Sequence, residues 1–354
     1  MNVALVHYRL SKMGGLESRM RNYLDYFVSK GVKVTLFCYK HDDSFFIPKN
    51  VEVVKVNVGL TPKNLRRWAF NKKLKTVFNK ADFDFSLTME RTSQQHASIA
   101  PGDHLGFMKA MGIKNWRPKH WAQVWLDKQC FNKSEVIYPC SDLINQNLER
   151  LYGINQAKMC TLYPPIKLNE FDKQFLPNAN LLRQKFNISA TKFTFVMASV
   201  SHKRKGVHFA VELFKQLPKS QFELKIAGLP KLDVQTENIE FLGYVPNVAE
   251  LYHAADALIH PAYFEPAGQI VAQALHLQKP VLISNQTGWA PKITPEEGMV
   301  VKNHDLEYWK KALMSFVEQD WQVPEGFGIK HHLGLEAHMN KMLSFFDNRT
   351  NRSN

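Results

Sequence analysis

Short apolar runs separated by glycine turns and amphipathic segments recur along the chain. Residues 2–8 (NVALVHY) are almost wholly apolar, the pattern of a strand buried on both faces. Met13-Gly14-Gly15-Leu16-Glu17 then predicts a turn into a helix running to about Ser29, with Met20, Leu24 and Phe27 on one buried face. Gly31 stops that helix, and 32–39 (VKVTLFCY) predicts a second strand. Strand, glycine turn, helix, strand is one βαβ unit, the building block of a parallel sheet with helices on both faces. Further strands are predicted at 51–58, 82–89 and 134–141, the last leading into a helix from Asp142 to Tyr152.

The stretch 161–171 (TLYPPIKLNEF) breaks the alternation with two adjacent prolines, which places a domain boundary near residue 166. Beyond it the pattern restarts. Strands are predicted at 192–200, 222–229, 239–245, 257–263 and 279–285, with helices at Gly206–Leu217, 248–255 and about Gly268–Leu277. The fold class is therefore α/β, with two doubly wound, Rossmann-like domains in series, 1–166 and 167–330, followed by a terminal segment 331–354.

Composition narrows the picture. The 354 residues are 45% hydrophobic and 22% charged, enough apolar material for two cores and unlike a disordered chain. The net charge of +14 is unevenly placed: residues 1–170 carry 26 basic and 14 acidic side chains, whereas 171–354 carry 20 and 18. The N-terminal half should therefore meet something anionic, such as a phosphorylated substrate, a membrane surface or nucleic acid. Four cysteines without a C-x-x-C pair suit a reducing compartment. The opening residues lack the pattern of a signal peptide, and no apolar run reaches the ~20 residues of a membrane span, so a soluble or peripheral cytoplasmic protein is expected.

Three segments carry candidate chemistry. Gly14-Gly15, after the first strand, would let backbone approach a ligand at a helix N-terminus, although an ordinary tight turn reads the same way. It is neither G-x-G-x-x-G nor a Walker A loop. Ser199-Val200-Ser201-His202-Lys203-Arg204-Lys205-Gly206 puts three consecutive cations between a strand and a helix, where open α/β sheets bind ligands. There they would neutralise a diphosphate, Arg204 with a planar fork; a solvated charge run is the alternative. Phe264-Glu265-Pro266-Ala267-Gly268-Gln269 places a carboxylate at a strand mouth, then small residues opening a helix. Amides of Ala267, Gly268 and Gln269 would point at an anion there, unless Glu265 simply caps the helix.

These segments resemble family 4 glycosyltransferases, retaining enzymes of the two-domain GT-B fold. The resemblance runs along most of the chain: Gly14-Gly15-x-Glu17, Lys205-Gly206, Phe241-x-Gly243-Tyr244-Val245, Leu251-Tyr252-x-Ala254-Ala255-Asp256, Glu265-Pro266-x-Gly268, and on through Lys279-Pro280-Val281-Leu282. Glu90-Arg91-Thr92 to Asp103-His104 is similar to transferases of bacterial lipopolysaccharide core assembly. The resemblance implies that the two domains face a cleft and that the last helix, about Leu335–Phe346, crosses back to the first. It implies a nucleotide-sugar donor and a glycan or glycolipid acceptor, and neither cofactor nor metal. Arg204 and Lys205 would then hold the donor diphosphate, Glu265 would contact hydroxyls of the transferred sugar, and Ala267, Gly268 and Gln269 would support sugar or phosphates. The Gly243–Val245 turn would flank the base, and Gly14-Gly15 would lie near the donor phosphate. Gln273 stands where the family usually has a glutamate on the ribose, and it offers one carbonyl acceptor instead of two anionic oxygens.

On the acceptor side Asp103 is the candidate, with His104 second, although an aspartate beside Pro101-Gly102 also reads as a turn residue. Asp82-Phe83-Asp84 matches the metal-binding D-x-D of another transferase fold, but it opens a predicted strand and is taken as structural. His253 and His260 lack a third ligand at metal spacing and read as helix-surface and strand-end residues. Thr61–Lys80, with Arg66, Arg67, Lys72 and Lys73, and 105–131, with Trp116, Trp121 and Trp125, are basic and amphipathic. They suit a peripheral contact with the anionic cytoplasmic face of an inner membrane, or core-packed helices with a solvated face. The expectation is a metal-independent retaining glycosyltransferase of lipopolysaccharide core or other cell-envelope glycan synthesis. The alternatives are a catalytically silent binding subunit of the same fold, a sugar-phosphate epimerase with no visible proton-transfer residue, and a nucleic-acid binder, which lacks any recognition motif.

Overall fold

The computed structural model describes residues 1–11, 14–63, 65–114, 117–234 and 236–350. Met13 of the predicted turn and Trp116 of the aromatic-basic segment lie outside the described residues. The chain divides into two units, Met1–Pro165 with Leu335–Asn354, and Ile166–Gly334.

The first unit runs β1 (Asn2–Leu10), α1 (Gly15–Ser29), β2 (Lys33–His41), β3 (Val51–Lys55), α2 (Arg66–Val77), β4 (Phe85–Thr88), β5 (Ala97–Ala100), α3 (His104–Ala110), α4 (Pro118–Lys133), β6 (Val136–Pro139) and α5 (Asp142–Tyr152). Its six strands are parallel in the order β3-β2-β1-β4-β5-β6, so the order reverses between β1 and β4. Val3 and Leu5 face one layer of core with Met20, Leu24 and Phe27, whereas Ala4 and Val6 face the other with Phe70, Leu74 and Phe78. Apolar side chains on both strand faces are what a sheet covered twice requires.

The second unit runs α6 (Ala179–Lys185), β7 (Phe193–Ala198), α7 (His202–Lys205), α8 (Val207–Lys215), β8 (Phe222–Ala227), β9 (Ile239–Gly243), α9 (Val248–Ala254), β10 (Ala257–His260), α10 (Gln269–His276), β11 (Val281–Ser284), β12 (Gly298–Val301), α11 (Leu306–Val317) and α12 (Phe327–Lys330). Its order, β12-β11-β10-β7-β8-β9, is again parallel and reverses between β7 and β10. Trp309, Phe316, Phe195 and Phe214 fill its core.

The terminal helix α13 (Leu335–Thr350) packs in the first unit, with Met339, Met342 and Phe346 buried in the same core as Tyr23 and Phe85. The Tyr138 hydroxyl donates to the Met342 carbonyl at 2.7 Å. Residues 331–334, expected with the terminal segment, belong to the second unit: Ile166 N–H donates to the Leu333 carbonyl, and Leu333 N–H to that of Gly328.

Several elements differ from the sequence expectation. The strand predicted over 82–89 begins only at Phe85, because the Asn79 side chain caps a short 3-10 turn at Lys80–Asp82. Asp84 instead accepts from the Asn2 backbone N–H, so the D-x-D acids tie down a sheet corner. The helix predicted from Gly206 is preceded by the single turn α7, so the three cations lie on a helical turn. β5 (ASIA) and β12 (GMVV) went unpredicted: four residues each, the first rich in small side chains, they carry too little β-branched periodicity. Helices α3, α11 and α12 were not separated from their surroundings either.

Candidate functional site

Ligands of doubly wound sheets sit beyond the strand ends where the strand order reverses. In the second unit that place lies beyond β7 and β10. The segment after β10 is stitched to the loop after β11: Glu265 N–H donates to the Gln286 carbonyl at 2.9 Å, and Gly288 N–H to the Glu265 carbonyl at 2.8 Å. The segment after β7 is pressed against β10 by Gly206, whose φ is +74°. A Cβ there would lie 1.9 Å from the Pro261 carbonyl oxygen, so only glycine permits the approach. Backbone N–H groups of Tyr263 and Phe264 both donate to the Arg204 carbonyl.

This stitching gathers three side chains around one carboxylate. Oε2 of Glu265 lies 3.2 Å from Arg204 Nη1, 3.7 Å from Lys205 Nζ and 3.6 Å from His260 Nε2. Oε1 has no hydrogen-bond partner among the described residues. Arg204 Nη1 also donates to the Phe264 carbonyl at 2.6 Å, and Lys205 Nζ to that of Ala198 at 3.3 Å. Lys203, the remaining cation of the run, is exposed. Burial opposes ionisation of Glu265, but Lys205, His260 and Arg204 outweigh it and hold the carboxyl well below its usual range. Burial pulls Lys205 downward, partly countered by Glu265. Burial also lowers His260, which is fully inaccessible, with neither ring nitrogen hydrogen-bonded among the described residues. His260 is the strand-end residue that the sequence predicted, closing β10, and the structure adds Glu265 beside it. A histidine closing a buried strand five positions before a carboxylate is the signal that was passed over.

The remaining candidates of this unit lie at the start of α10 and at the end of β9. Gly268 is its N-cap at φ +61°, and a Cβ would press Thr287 and Trp289 at 3.0 and 3.1 Å. Ala267 and Gly268 precede the helix with amides that donate to no group in the described residues, while Gln269 opens it. Gln273, one turn further, is half-buried, and its side-chain amide makes no hydrogen bond among the described residues. Gly243 ends β9 at φ +76°, Val245 is half-buried, and the Tyr244 ring is 70% exposed.

Candidates in the first unit are placed differently. Gly14 and Gly15 are exposed at the start of α1, with the Glu17 carboxylate folded so closely over Gly14 that a Cβ would meet it at 1.9 Å. Asp103 is buried and caps α3: it accepts from the Gly106 N–H and, at 2.8 Å, from Asn147 Nδ2. Both oxygens are thereby occupied, which is the turn-residue reading. His104 stacks on His120 with Nε2 and Nδ1 2.8 Å apart, and its N–H donates to the fully buried Asp127. Arg66 donates to the Thr61 carbonyl, and Arg67 pairs with Glu90. Lys72 lies over the Trp68 ring, and Lys73 is exposed. Among the described residues no group of three or more His, Cys, Asp or Glu side chains is assembled to hold a metal ion, and no helix is long and apolar enough to cross a membrane.

Comparison with known proteins bears on this arrangement. Residues 178–330 match the family described as Glycosyl transferases group 1, and residues 13–170 match Glycosyltransferase Family 4. A probable transglycosylase, BTH_I0986 of Burkholderia thailandensis, is 25% identical over 301 residues, 85% of this chain and 82% of that protein. The lipopolysaccharide glucosyltransferase WaaG of Escherichia coli is 32% identical over 175 residues, 45% of this chain and 46% of that protein. A crystal structure of WaaG superposes with a TM-score of 0.76 at 20% identity, over 96% of this chain and 94% of that one. Anabaena HepE in complex with UDP-glucose gives 0.66 at 12% identity, over 99% of both chains. With two Rossmann-like units, matches spanning both, and a carboxylate ringed by cations at the switch point of the second, the chain belongs to the family 4 glycosyltransferases of GT-B fold.

Proposed function

We propose that this chain is a retaining, metal-independent glycosyltransferase that moves a sugar from a nucleoside diphosphate sugar to an anionic cell-envelope glycan or glycolipid. The observation that carries the reading is the division of labour on Glu265. Its Oε2 gathers Arg204, Lys205 and His260, while Oε1 is left to accept from a ligand hydroxyl. Nε and Nη2 of Arg204 donate to no group in the described residues. They are therefore available to oxygens of a departing diphosphate, whose developing charge Arg204 and Lys205 would offset. Amides of Ala267 and Gly268 would add donors, and the exposed Tyr244 ring a surface for the base. Departure of the diphosphate from the face on which the acceptor hydroxyl attacks retains configuration and needs no enzyme nucleophile.

In the first unit, exposed aromatics accompany the cations: Trp121 and Trp125, one turn apart on α4, flanked by Arg117 and Lys128, and Trp68 beneath Lys72 on α2. Tryptophan beside lysine and arginine is the composition of a surface resting on anionic lipid headgroups. We read these helices as a peripheral contact with the cytoplasmic face of the inner membrane, where a glycolipid acceptor would be met.

The test is a thermal-shift series with UDP-, GDP-, ADP- and CMP-sugars, with and without EDTA, on the wild type and Lys205→Ala. Stabilisation by one nucleotide class, unaffected by EDTA and lost in the variant, is expected; a UDP-sugar is the first to try, given the HepE complex. A folded wild type that responds to none would instead favour the silent subunit. In that case Gln273, unable to match a carboxylate on ribose hydroxyls, becomes the cause to examine.

A further inference from the structure

The switch point of the first unit, between β1 and β4, holds a second carboxylate with the same kind of company. Glu90 lies two residues beyond β4 and is 9% exposed. Its Oε1 is 3.4 Å from Nδ1 of His7 on β1, and its Oε2 is paired with Arg67 on α2. His7 is 2% exposed, and neither ring nitrogen is hydrogen-bonded among the described residues. An imidazole buried without partners costs stability, so packing alone does not explain it.

The backbone that presents Glu90 is rigid. Its N–H donates to Thr88 Oγ1 at 3.0 Å, and Thr92 ties Thr88 to Gln95 through two 2.9 Å bonds. Arg67 is half-exposed, its guanidinium 5.0 Å from the centre of the Tyr8 ring, and among the described residues only its Nη1 is engaged. The remaining edge is a planar fork open to an oxyanion. A fixed carboxylate that accepts from hydroxyls, beside a fork that donates to anions, suits a sugar carrying a phosphate.

We propose that Glu90 and Arg67, with His7 as a positioning residue behind Glu90, form a binding site in the first unit for a phosphorylated sugar of the acceptor: Glu90 takes a hydroxyl and Arg67 the phosphate. This rests on the transferase reading, in which the acceptor is a second sugar-bearing substrate.

The probe is a deacylated, phosphorylated lipopolysaccharide core oligosaccharide, with the same oligosaccharide dephosphorylated as its twin. Both are titrated calorimetrically into the full chain, wild type and the variants Arg67→Ala, Glu90→Gln and His7→Gln; UDP is titrated separately. Losing a charge-assisted contact weakens binding by about tenfold or more. We expect that loss in Arg67→Ala and Glu90→Gln, with UDP affinity unchanged. Dephosphorylation should cost the wild type about the same factor and cost Arg67→Ala almost nothing. Because Arg67 is half-exposed, its variant stays folded even if His7→Gln does not. Wild-type binding that is absent, indifferent to the phosphate, or equal in Arg67→Ala and Glu90→Gln overturns the proposal. Oligosaccharide binding as expected without any UDP binding would leave this site standing and defeat the donor reading instead.

Discussion

Replacing Glu265 by Gln keeps the shape of the side chain and removes one charge from a buried cluster. In the wild type, Lys205 and Arg204 share its Oε2 at 3.7 and 3.2 Å, with Lys205 14% and Arg204 27% exposed. Breaking a buried ion pair by removing one partner costs about 3–5 kcal/mol. Partial exposure screens the residual repulsion between the two cations, so we take the lower end, about 3 kcal/mol. For a unit of this size that is roughly 6–12 °C in Tm. The pH dependence identifies the cause. Burial lowers the pKa of Lys205, and Glu265 opposes that shift; in the variant the shift is deeper. A lysine with a depressed folded-state pKa makes stability rise with pH between its folded and unfolded values, because the unfolded chain binds the extra proton there. The deficit of Glu265→Gln should therefore shrink between pH 7 and about 9.5, whereas a packing defect would not titrate. Scanning calorimetry of both proteins at the two pH values is the assay. A Tm within about 1 °C of wild type at pH 7, or a deficit that does not change with pH, would refute the reasoning.

Gly206→Ala places a methyl 1.9 Å from the Pro261 carbonyl and forces an L-residue to φ +74°; the backbone conformation alone costs about 1–2 kcal/mol, so loss of donor-induced stabilisation together with a lower Tm is expected. Ligand response equal to wild type would show that α7 need not touch β10. His338 is buried with Nδ1 3.0 Å from the Tyr163 carbonyl and Nε2 2.5 Å from the Tyr23 hydroxyl, and burial holds its pKa well below 6.5. That contribution is complete above about pH 6.5 and falls by up to about 1.4 kcal/mol per unit below it. The Tm of His338→Gln should accordingly decline less steeply than wild type from pH 6.5 to 5. Trp121→Glu with Trp125→Glu should abolish co-sedimentation with phosphatidylglycerol vesicles while leaving Tm within about 2 °C, since both rings are at least 46% exposed; undiminished sedimentation would remove α4 from the membrane reading.

What the sequence made legible follows from how much of each element's cause is local. The apolar runs of β1, β2, β7 and β8 are long, and glycine stops flank them, so the parallel sheets could be read directly. The Glu265 segment and the cations before Gly206 announced themselves by charge beside glycine at a strand end. Hidden were the features made by pairing. β5 and β12 are strands because β4, β6 and β11 hold them, their own periodicity being too short to tell. His260 and His7 look like ordinary polar residues in apolar runs until the fold sets a carboxylate beside each. Asp103 shows the local ambiguity of a carboxylate in a glycine loop: the sequence offered both a catalytic and a turn reading, and the structure shows it capping α3 through Gly106 and bonded to Asn147.

The two histidine–carboxylate pairs have one physical origin. Glu90 follows β4 and Glu265 follows β10, and each of those strands lies beside the first strand of its sheet, where the order reverses. Helices diverge to opposite faces at such a gap, leaving backbone and side chains exposed to a ligand where a crossover would otherwise cover them. Burying a carboxylate there is costly unless cations pair with it. The elements that supply them differ. In the second unit the run before Gly206 offers two cations at the neighbouring strand end, a density suited to a diphosphate. In the first unit α2 offers the single half-exposed Arg67, suited to one phosphate, and the histidine comes from the opposite strand of the gap, β1. The topology accounts for where each carboxylate stands, and the number of cations beside it distinguishes what each unit can hold.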